Sequence, residues 1–357
     1  MKRKASIATA AVFLAVLFGF SLLHLALPDR EVSRSERRRL AQLPPLSSGF
    51  SDKLEEYMLD QFPLREQLRT VNSLVRLYGL GQADIHSIYL QGGGAFRMDG
   101  PLQEKQVRHA AAVFSAVQET YFPSLPSHYV IVPDKNAKAE TSRPRLDTET
   151  LRGIVREALP GMTEIDIWDL LSADDYYKTD PHWRQEQLRP AADALLTAMG
   201  APVSGTRDET LCALEGAFHG SYWGKTEEPL EPDTLSYLTS PTLESCTVHN
   251  YETDTDGGVY DFAAAQDAPY DLFLSGSRSL LRIDNPDALW DRTLVVFRDS
   301  FGSSIIPLLA ESYRTVYAVD IRYLASDRLG RVVEFPDDAD VLFLYSATVL
   351  HNSITLK

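Results

Sequence analysis

The segment YYKTDPHW, residues 176–183, places a carboxylate and an imidazole two positions apart. Asp180 and His182 flank Pro181, whose ring fixes its own φ and restricts the residue before it, so both side chains stand on one stiff turn. A carboxylate beside an imidazole selects one tautomer and stabilises the protonated ring, which suits a base that takes and returns a serine proton. The simpler alternative is a surface turn in which Asp180 caps the following helix and His182 has no chemical role.

A hydroxyl that could complete this pair follows an apolar strand much later in the chain. In TLVVFRDSFGSS, residues 293–304, the predicted strand ends just before Ser300, and a Phe-Gly turn leads into a helix. The carboxyl ends of the strands form the binding edge of an open α/β sheet, and a serine on a strand-to-helix turn projects its hydroxyl outward. The alternative is that Ser300 only caps the helix. Taken together, the two segments predict a Ser300–His182–Asp180 triad that forms an acyl-enzyme.

Apolar runs that alternate with helical patterns predict the scaffold that positions these residues. Strand-like runs lie at 128–133, 163–171, 293–300, 315–321 and 341–346, and helical patterns lie at 103–122, 151–159, 184–200 and about 303–313. Continuous apolar strands separated by helices are typical of a parallel sheet covered on both faces. Residues 87–98 predict a strand pair around a glycine turn. Residues 201–292, dotted with Pro and Gly and rich in Tyr, predict a large β-containing insertion. The predicted fold class is therefore α/β.

The N-terminal residues predict a membrane segment followed by a stalk. Three basic residues precede residues 5–28, which carry no charge at neutral pH. At about 1.5 Å per residue, such a helix is long enough to cross a bilayer core of about 30 Å. No clear cleavage site precedes Asp29, so residues 1–28 are predicted to be a cytoplasmic tail and uncleaved anchor, with a cleaved signal as the alternative. Residues 29–85 are predicted to form a linker and a helical stalk that Pro63 interrupts.

Composition and charge exclude several classes of function. Hydrophobic residues make up 44% of the chain and charged residues 24%, as expected for a folded protein. The net charge of −15 argues against a nucleic-acid partner, because phosphate binding needs a basic face. Cys212 and Cys246 are the two cysteines, and the sequence leaves their pairing open. No cysteine and histidine spacing fits zinc, and residues 251–258 lack the length and distal glutamate of a calcium loop, so no metal or cofactor is predicted.

Several further stretches, together with the two segments above, resemble the bacterial DHHW family. They cover residues 54–66, 88–96, 130–140, 218–226, 316–324 and 341–353. This family is related to the SGNH-like O-acetyltransferases of alginate and other exopolysaccharides. The resemblance implies an SGNH-like α/β/α domain over residues 86–357, with the insertion at about 201–292. Pro181 occupies the first histidine position of the family motif, so the resemblance gives the chemical role to His182.

The resemblance also implies an activity and a location. It implies a membrane-anchored enzyme with its catalytic domain outside the cytoplasm, which adds or removes an acetyl group on a cell-surface or secreted polysaccharide. Ser300 would be the nucleophile, His182 the base and acid, and Asp180 the residue that orients the histidine. A multipass membrane acyltransferase is the implied partner that supplies the acetyl group. The alternatives are a catalytically inactive glycan-binding or assembly scaffold and a purely structural envelope protein.

A serine acyl transfer also needs hydrogen-bond donors for the oxyanion of the tetrahedral intermediate. The backbone N–H groups of Ser300 and Gly302 are the predicted donors, with Asn136 and Asn352 as side-chain candidates. The sequence does not decide between them. It also leaves open the glycan, the acyl donor, the choice between transfer and hydrolysis, and the oligomeric state.

Aromatic residues near the predicted triad are candidate substrate contacts, because flat amphipathic rings stack on sugar faces while their polar atoms bind hydroxyl groups. Tyr222, Trp223 and Lys225 in the insertion, and Trp183 beside the histidine, are the candidates. The alternative is a packed core of the insertion for the first group and a buried wall of the site for Trp183.

Overall fold

The computed structural model describes residues 2–33, 38–205, 207–226 and 228–357. The chain divides into two compact units. The first comprises Met1–His86 with Trp223–Leu230, and the second comprises Ser87–Tyr222 with Glu231–Lys357. We call the second the α/β unit.

The helices and strands of the described residues are numbered here in chain order. The helices are α1 (Lys2–Ala26), α2 (Phe50–Asp60), α3 (Arg65–Leu74), α4 (Glu104–Tyr121), α5 (Thr148–Ala158), α6 (Arg189–Ala198), α7 (Ser221–Thr226), α8 (Pro241–Ser245), α9 (Ala264–Asp267), α10 (Gly302–Ala310) and α11 (Ala347–His351). The strands are β1 (Val32–Ser33), β2 (Arg38–Arg39), β3 (Ile88–Gln91), β4 (Gly94–Arg97), β5 (Ser127–Val132), β6 (Met162–Glu164), β7 (Thr210–Ala213), β8 (Ser236–Thr239), β9 (Thr247–Asn250), β10 (Thr255–Gly257), β11 (Leu280–Asp284), β12 (Trp290–Arg298), β13 (Tyr313–Val319) and β14 (Asp340–Ser346).

An eight-stranded sheet forms the centre of the α/β unit, in the order β10-β9-β11-β13-β12-β14-β5-β6. Strands β13, β12, β14, β5 and β6 are parallel neighbours. Strands β11, β9 and β10 extend the sheet in antiparallel pairing, and all three come from the predicted insertion. Strand β12 therefore has a parallel neighbour on each side, and its carboxyl end opens on the edge where α/β proteins bind ligands.

Alternating side chains of the parallel strands feed two separate hydrophobic layers. Leu294 and Val296 of β12 pack with α6 and α10 on one face. Val295 and Phe297 pack with α4, α5 and α11 on the other. This alternation follows from the two-residue repeat of a strand, and it explains why strands buried on both faces read as continuous apolar runs. The predicted three-layer α/β/α class, with a β-containing insertion and an N-terminal apolar helix, is confirmed.

One predicted helix begins later than expected. The pattern over residues 184–200 predicts a single helix, but a 3-10 turn occupies Gln185–Gln187 and α6 starts only at Arg189. Pro190 stands at the first positions of α6, where its missing N–H costs nothing. Gln185 is fully buried and its side chain bonds to other segments, so its position is set by tertiary contacts.

The first unit contains the predicted apolar helix and a broken helical pair. Within α1, residues Ser6–Ala26 have a mean hydropathy of 2.3 and none of that stretch is buried. Helices α2 and α3 are separated at residues 61–64, where Leu64 adopts a left-handed conformation with φ of 57°. The predicted interruption at Pro63 is thus confirmed. The wider division into anchor, stalk and catalytic domain remains a prediction.

Candidate active site

Asp180, His182 and Ser300 come together at the carboxyl end of β12, although Ser300 lies 118 positions after His182 in the chain. The Nδ1 atom of His182 lies 2.5 Å from Oδ1 of Asp180, and its Nε2 atom lies 2.7 Å from Oγ of Ser300. Asp180 is fully buried, whereas the His182 side chain keeps 12% of its surface exposed. The imidazole therefore joins an acid on one side to a hydroxyl on the other, which is the connectivity of a serine acyl-transfer triad.

The turn that carries Asp180 is fixed by hydrogen bonds on both sides. Asp180 accepts from the backbone N–H of His182 through Oδ1 and from that of Ser221 through Oδ2, at 3.1 and 2.7 Å. Asp233 accepts from the backbone N–H groups of Lys178 and Thr179, at 2.7 and 2.8 Å, and from the Thr179 hydroxyl at 2.5 Å. Because a carboxylate that accepts several donors is held firmly, Asp233 is a positioning residue that the sequence analysis missed.

A glycine allows a second backbone segment to approach this turn closely. A Cβ atom at Gly220 would lie 2.3 Å from Cβ of Asp180 and 2.4 Å from the carbonyl oxygen of Thr179. No side chain fits in that space. The backbone N–H of Gly220 instead donates to the Thr179 hydroxyl at 2.8 Å. The segment FHGSYWGKT contributes to the site through this contact.

The turn that carries Ser300 is tied to the neighbouring strand by Asp299. Its Oδ1 accepts from the backbone N–H of Phe301 at 2.9 Å, and its Oδ2 accepts from that of Ser346, at the end of β14, at 2.8 Å. Asp299 is fully buried. Asp299 was not among the predicted site residues, and its two bonds hold the turn that carries Ser300 against β14.

An aromatic ring determines the orientation of the histidine. The ring of Tyr270 stacks on that of His182, with centroids 4.1 Å apart and planes inclined by 15°. Its hydroxyl lies 3.0 Å from Oγ of Ser304. Burial raises the pKa of Tyr270, so the hydroxyl stays neutral. No local sequence signal pointed to Tyr270, because it lies in the irregular insertion.

The two predicted motifs are joined directly by Trp183. Its indole N–H donates to the carbonyl of Phe301 at 3.1 Å and to Oγ of Ser304 at 2.9 Å. Gln185 adds a bond from its side-chain amide to the carbonyl of Ser304, at 2.8 Å. The segment after His182 therefore holds the first turn of α10, and with it the serine that precedes that helix.

The structure does not support the predicted side-chain donors for the oxyanion. Asn136 accepts from the Tyr89 hydroxyl at 2.7 Å and donates to the carbonyl of Pro144 at 3.0 Å, so both ends of its amide are engaged. Asn352 is an exposed residue that ends α11. These contacts argue against an oxyanion role for either residue.

The two predicted backbone donors have different environments. The N–H of Gly302 donates to the carbonyl of Asp299 at 3.1 Å, so it is engaged within the turn. A Cβ atom there would lie 2.7 Å from Cβ of Arg298, which gives close packing as the reason for glycine. None of the residues that the structure describes accepts a hydrogen bond from the backbone N–H of Ser300. That group therefore remains the predicted donor for the oxyanion.

The predicted sugar contacts also differ in accessibility. Trp183 is fully buried and Tyr222 is almost so, and neither ring is available for stacking on a sugar. This burial argues against direct contact of either ring with a substrate and agrees with the alternative of a buried wall for Trp183. Trp223 and Lys225 belong to the first unit, and their role remains a prediction.

A buried lysine that the sequence analysis did not single out supports the segment before Asp180. The Nζ atom of Lys135 donates to the carbonyls of Ala95, Tyr177 and Lys178, at 2.8, 2.7 and 2.9 Å. Burial lowers the pKa of Lys135 to about 8. These three bonds connect β4 and the turn after β5 to the segment that leads into the triad.

Cys212 and Cys246 are both free thiols. Within the described residues, no group of three or more His, Cys, Asp or Glu side chains is arranged to hold a metal ion.

Comparison with known proteins agrees with the resemblance to the DHHW family that the sequence motifs indicate. A family model described as DHHW protein matches residues 167–319, which include all three residues of the triad. A DHHW family protein from Eubacterium siraeum is similar in structure, with a TM-score of 0.63 and 20% identity over 75% of this chain and 93% of that chain. The chain is related to the DHHW family. The predicted relation is confirmed.

Two other solved structures are similar to the chain. Bacillus cereus PatB1, determined with a sulfonyl adduct, has a TM-score of 0.59 and 16% identity over 74% of this chain and 95% of that chain. The O-acetyltransferase domain of Pseudomonas putida AlgJ has a TM-score of 0.46 and 12% identity over 74% of this chain and 92% of that chain. No curated protein matches the chain in sequence. At these identities, the DHHW and PatB1 structures establish a shared fold.

Proposed function

We propose that the chain is a membrane-anchored carbohydrate O-acetyltransferase or acetylesterase that acts outside the cytoplasm on a cell-surface or secreted polysaccharide. The observation that carries the proposal is the position of His182 between Asp180 and Ser300, at 2.5 and 2.7 Å. The choice of an acyl group on a glycan rests on what the resemblance to the DHHW family implies, and a family model described as DHHW protein matches residues 167–319. The apolar stretch Ser6–Ala26 supports membrane anchoring.

The first half of the proposed reaction transfers the acyl group to Ser300. His182 Nε2 takes the hydroxyl proton as Oγ attacks the ester carbonyl of the donor. The backbone N–H of Ser300 donates to the resulting oxyanion. The protonated imidazole, stabilised by Asp180, then gives its proton to the departing alkoxide, and an acyl-Ser300 ester remains.

The second half releases the acyl group by the same groups acting in reverse. A hydroxyl of the acceptor gives its proton to His182 and attacks the acyl-serine carbonyl. The bond to Oγ breaks and the proton returns to Ser300. If the acceptor is a sugar, the enzyme is a transferase; if it is water, the enzyme is an esterase. The positioning contacts of Asp233, Asp299 and Tyr270 keep the residues aligned through both halves.

Ester hydrolysis by purified protein tests the catalytic role of Ser300. We expect Ser300→Ala to abolish acetate release from p-nitrophenyl acetate, because Ser300 supplies the only hydroxyl of the triad and the Asp180 carboxylate is fully buried. Ser115→Ala is a matched control. It removes the hydroxyl of a serine that is not in the triad but lies on α4, where it donates to Glu119. Full activity of Ser300→Ala would refute the triad.

A covalent probe separates an enzyme from a silent scaffold. The structure of PatB1 contains a sulfonyl adduct, so an aryl sulfonyl fluoride is a suitable reagent. We expect mass spectrometry to locate one adduct on Ser300 in the unaltered protein and none in His182→Ala, because the hydroxyl is activated by the imidazole. Glycan binding without an adduct or ester turnover would favour the scaffold.

The acetyl content of polysaccharide made by cells distinguishes acetyl transfer from ester hydrolysis. A transferase predicts that surface polysaccharide from cells carrying Ser300→Ala has less ester-linked acetyl than polysaccharide from cells with the unaltered protein. An esterase predicts more. The proposed supply of acetyl groups by a multipass membrane acyltransferase is tested in the same cells, since its deletion should mimic Ser300→Ala only if the enzyme is a transferase.

A further inference from the structure

Helix α3 and the π-helical turn Val75–Gly79 that continues it present a row of apolar side chains to the outside. Leu64, Leu68, Val71, Val75 and Tyr78 have exposed fractions of 51, 41, 54, 51 and 71%. Their spacing of three and four residues places them on one side of the helix. We call these five residues the apolar row.

The opposite side of α3 is polar and faces its own unit. Ser73 is buried, and Arg65, Glu66 and Arg69 are half-buried. Glu66 pairs with Arg30 at 3.3 Å, and Arg69 donates to the carbonyl of Gly224 at 3.0 Å. A helix of a water-soluble unit normally turns its apolar side inward. This helix is oriented the other way, and a contiguous row of exposed apolar side chains marks a surface that an apolar partner or phase can cover.

The turn between α2 and α3 contacts the apolar helix α1. The ring of Phe62 stacks on that of Phe20, with centroids 5.2 Å apart, and Tyr57 meets His24 edge-on at 5.4 Å. Phe20 lies six residues before the end of the apolar stretch Ser6–Ala26. At about 1.5 Å per residue, the contact is about 9 Å inside the end of that stretch. Phe62 itself is 37% exposed, beside the exposed Leu59.

We propose that the α2–α3 turn and the apolar row lie in the interfacial layer of the membrane that α1 spans, with phospholipid as the occupant. This inference rests on the proposed membrane anchoring and adds a second lipid contact to it. The depth of the Phe20–Phe62 contact matches that of interfacial helices, whose apolar face is buried about 5–10 Å.

Lipid fits the apolar row better than a protein partner does. The row is continuous, through Phe62, with a helix whose apolar stretch is itself entirely unburied. A lipid surface therefore covers both at once. The first unit would then be attached to the membrane by a helix that crosses it and by a second helix that lies along it.

Spin-label accessibility in lipid nanodiscs tests the proposal on the full chain. Nanodiscs of phosphatidylcholine and phosphatidylglycerol would hold Cys212→Ser protein with a nitroxide at Val71→Cys or, as the matched control, at Lys53→Cys. Lys53 is exposed on α2, away from the exposed apolar side chains of that helix. Burial raises the pKa of the Cys246 thiol to about 12, so it stays protonated and unlabelled.

We expect the label at position 71 to collide with oxygen and to lose most of its collisions with a nickel chelate, and the label at position 53 to behave in the opposite way. Equal access of the chelate to both labels would overturn the proposal. Protection of position 71 in cell membranes but not in nanodiscs would also overturn it, in favour of a protein partner.

Two further measurements on the same sample distinguish failure of the lipid contact from failure of the proposed function. Intact mass reports whether residues 1–28 are retained, and their removal would overturn both the anchor and the lipid contact. Hydrolysis of p-nitrophenyl acetate reports the triad independently. An active enzyme with an accessible label at position 71 would leave the proposed catalysis standing and would reject the lipid contact alone.

Discussion

Helices α6 and α3 are each ten residues long and amphipathic, yet they expose opposite sides. In α6, Leu195 and Leu196 are buried in the core of the α/β unit. In α3 the buried residue is Ser73, while Leu68 and Val71 are largely exposed. The same periodic pattern thus fits two environments. A helical repeat identifies the apolar side of a helix, but it does not say whether protein or another apolar phase covers that side.

Three buried carboxylates, two in the α/β unit and one in the first unit, are each held by several hydrogen bonds. In the α/β unit, the buried carboxylates Asp180 and Asp299 accept two or more hydrogen bonds each. In the first unit, Asp60 accepts two bonds from Arg38 and one from the backbone of Ala41. Buried charges without partners are strongly unfavourable, which explains this shared feature. The units therefore differ in whether the apolar side of a helix is buried or exposed. They also differ in what a buried carboxylate does, since Asp180 belongs to the proposed triad and Asp60 pairs with Arg38.

The largest expected effect comes from Asp180→Asn in the proposed triad. Asp180 has donors on both sides, so an amide must direct its NH₂ group either at His182 or at the backbone N–H of Ser221. The first choice forces the wrong histidine tautomer, and we expect turnover of p-nitrophenyl acetate to fall by about 10⁴-fold. A change of less than tenfold, with an unaltered melting temperature, would contradict the assigned role of Asp180.

A matched pair of leucine substitutions tests the contrast between the two helices. Leu195 is fully buried, so Leu195→Ala should lower the free energy of unfolding by about 2–5 kcal/mol through the cavity it leaves. Leu68 on α3 is 41% exposed, and Leu68→Ala should stay within about 0.5 kcal/mol. Urea denaturation of the detergent-solubilised chain measures both. Similar losses in the two variants would mean that α3 is covered by protein.

A pair of glycine substitutions tests how tightly the α/β unit packs around the triad. At Gly220 an added Cβ would overlap Asp180 and Thr179, so Gly220→Ala should cost about 1–3 kcal/mol and reduce turnover. Gly153 lies in α5 with no atom within 4 Å of an added Cβ, so Gly153→Ala should stabilise by about 0.5–1 kcal/mol. Melting curves and ester hydrolysis report both effects. Equal stability and turnover in the two variants would show that the backbone at Gly220 does not pack tightly against Asp180 and Thr179.

Local patterns predicted the parts of the molecule that depend on local physics. The apolar runs gave the central parallel strands, because strands buried on both faces have no polar alternation. The rule that ligands bind at strand ends placed Ser300 at the right edge, and the stiffness of the Asp-Pro-His turn suggested how an acid and an imidazole share one segment. These features predicted that the three residues would meet, whereas the distances between them come from the structure.

Contacts between distant segments were not predictable in this way. Asp233 reaches Thr179 across 54 positions, and Tyr270 stacks on His182 from within an irregular segment that has no periodic pattern. The late start of α6 depends on Gln185, which bonds to Ser304. A helical stalk was predicted within residues 29–85, but the exposure of the apolar row on α3 depends on where the rest of the unit lies.

The smallest expected effect comes from Asp60→Asn, the counterpart of Asp180→Asn in the first unit. Hydrogen bonds from Arg38, at 2.5 and 2.7 Å, are the main cause that lowers the pKa of Asp60 to about 2. Loss of these charge-assisted bonds should reduce the stability of the first unit by about 1–2 kcal/mol. Turnover of a soluble ester should not change. Faster amide exchange in peptides that cover residues 50–61 would measure the loss.

The lowered pKa of Asp60 also determines whether the stability of the first unit rises or falls with pH. Below the ordinary pKa of an aspartate the unfolded chain binds more protons at this site than the folded chain does, so folding is weakened as pH falls. The stabilisation by Asp60 should therefore be complete above about pH 4 and lost as pH falls towards 2. Amide exchange, corrected for its intrinsic pH dependence, should differ between the two proteins at pH 6 and converge near pH 2. A constant difference would show that Asp60 acts by packing, and the carboxylates of the two units would then differ in physical role as well as in use.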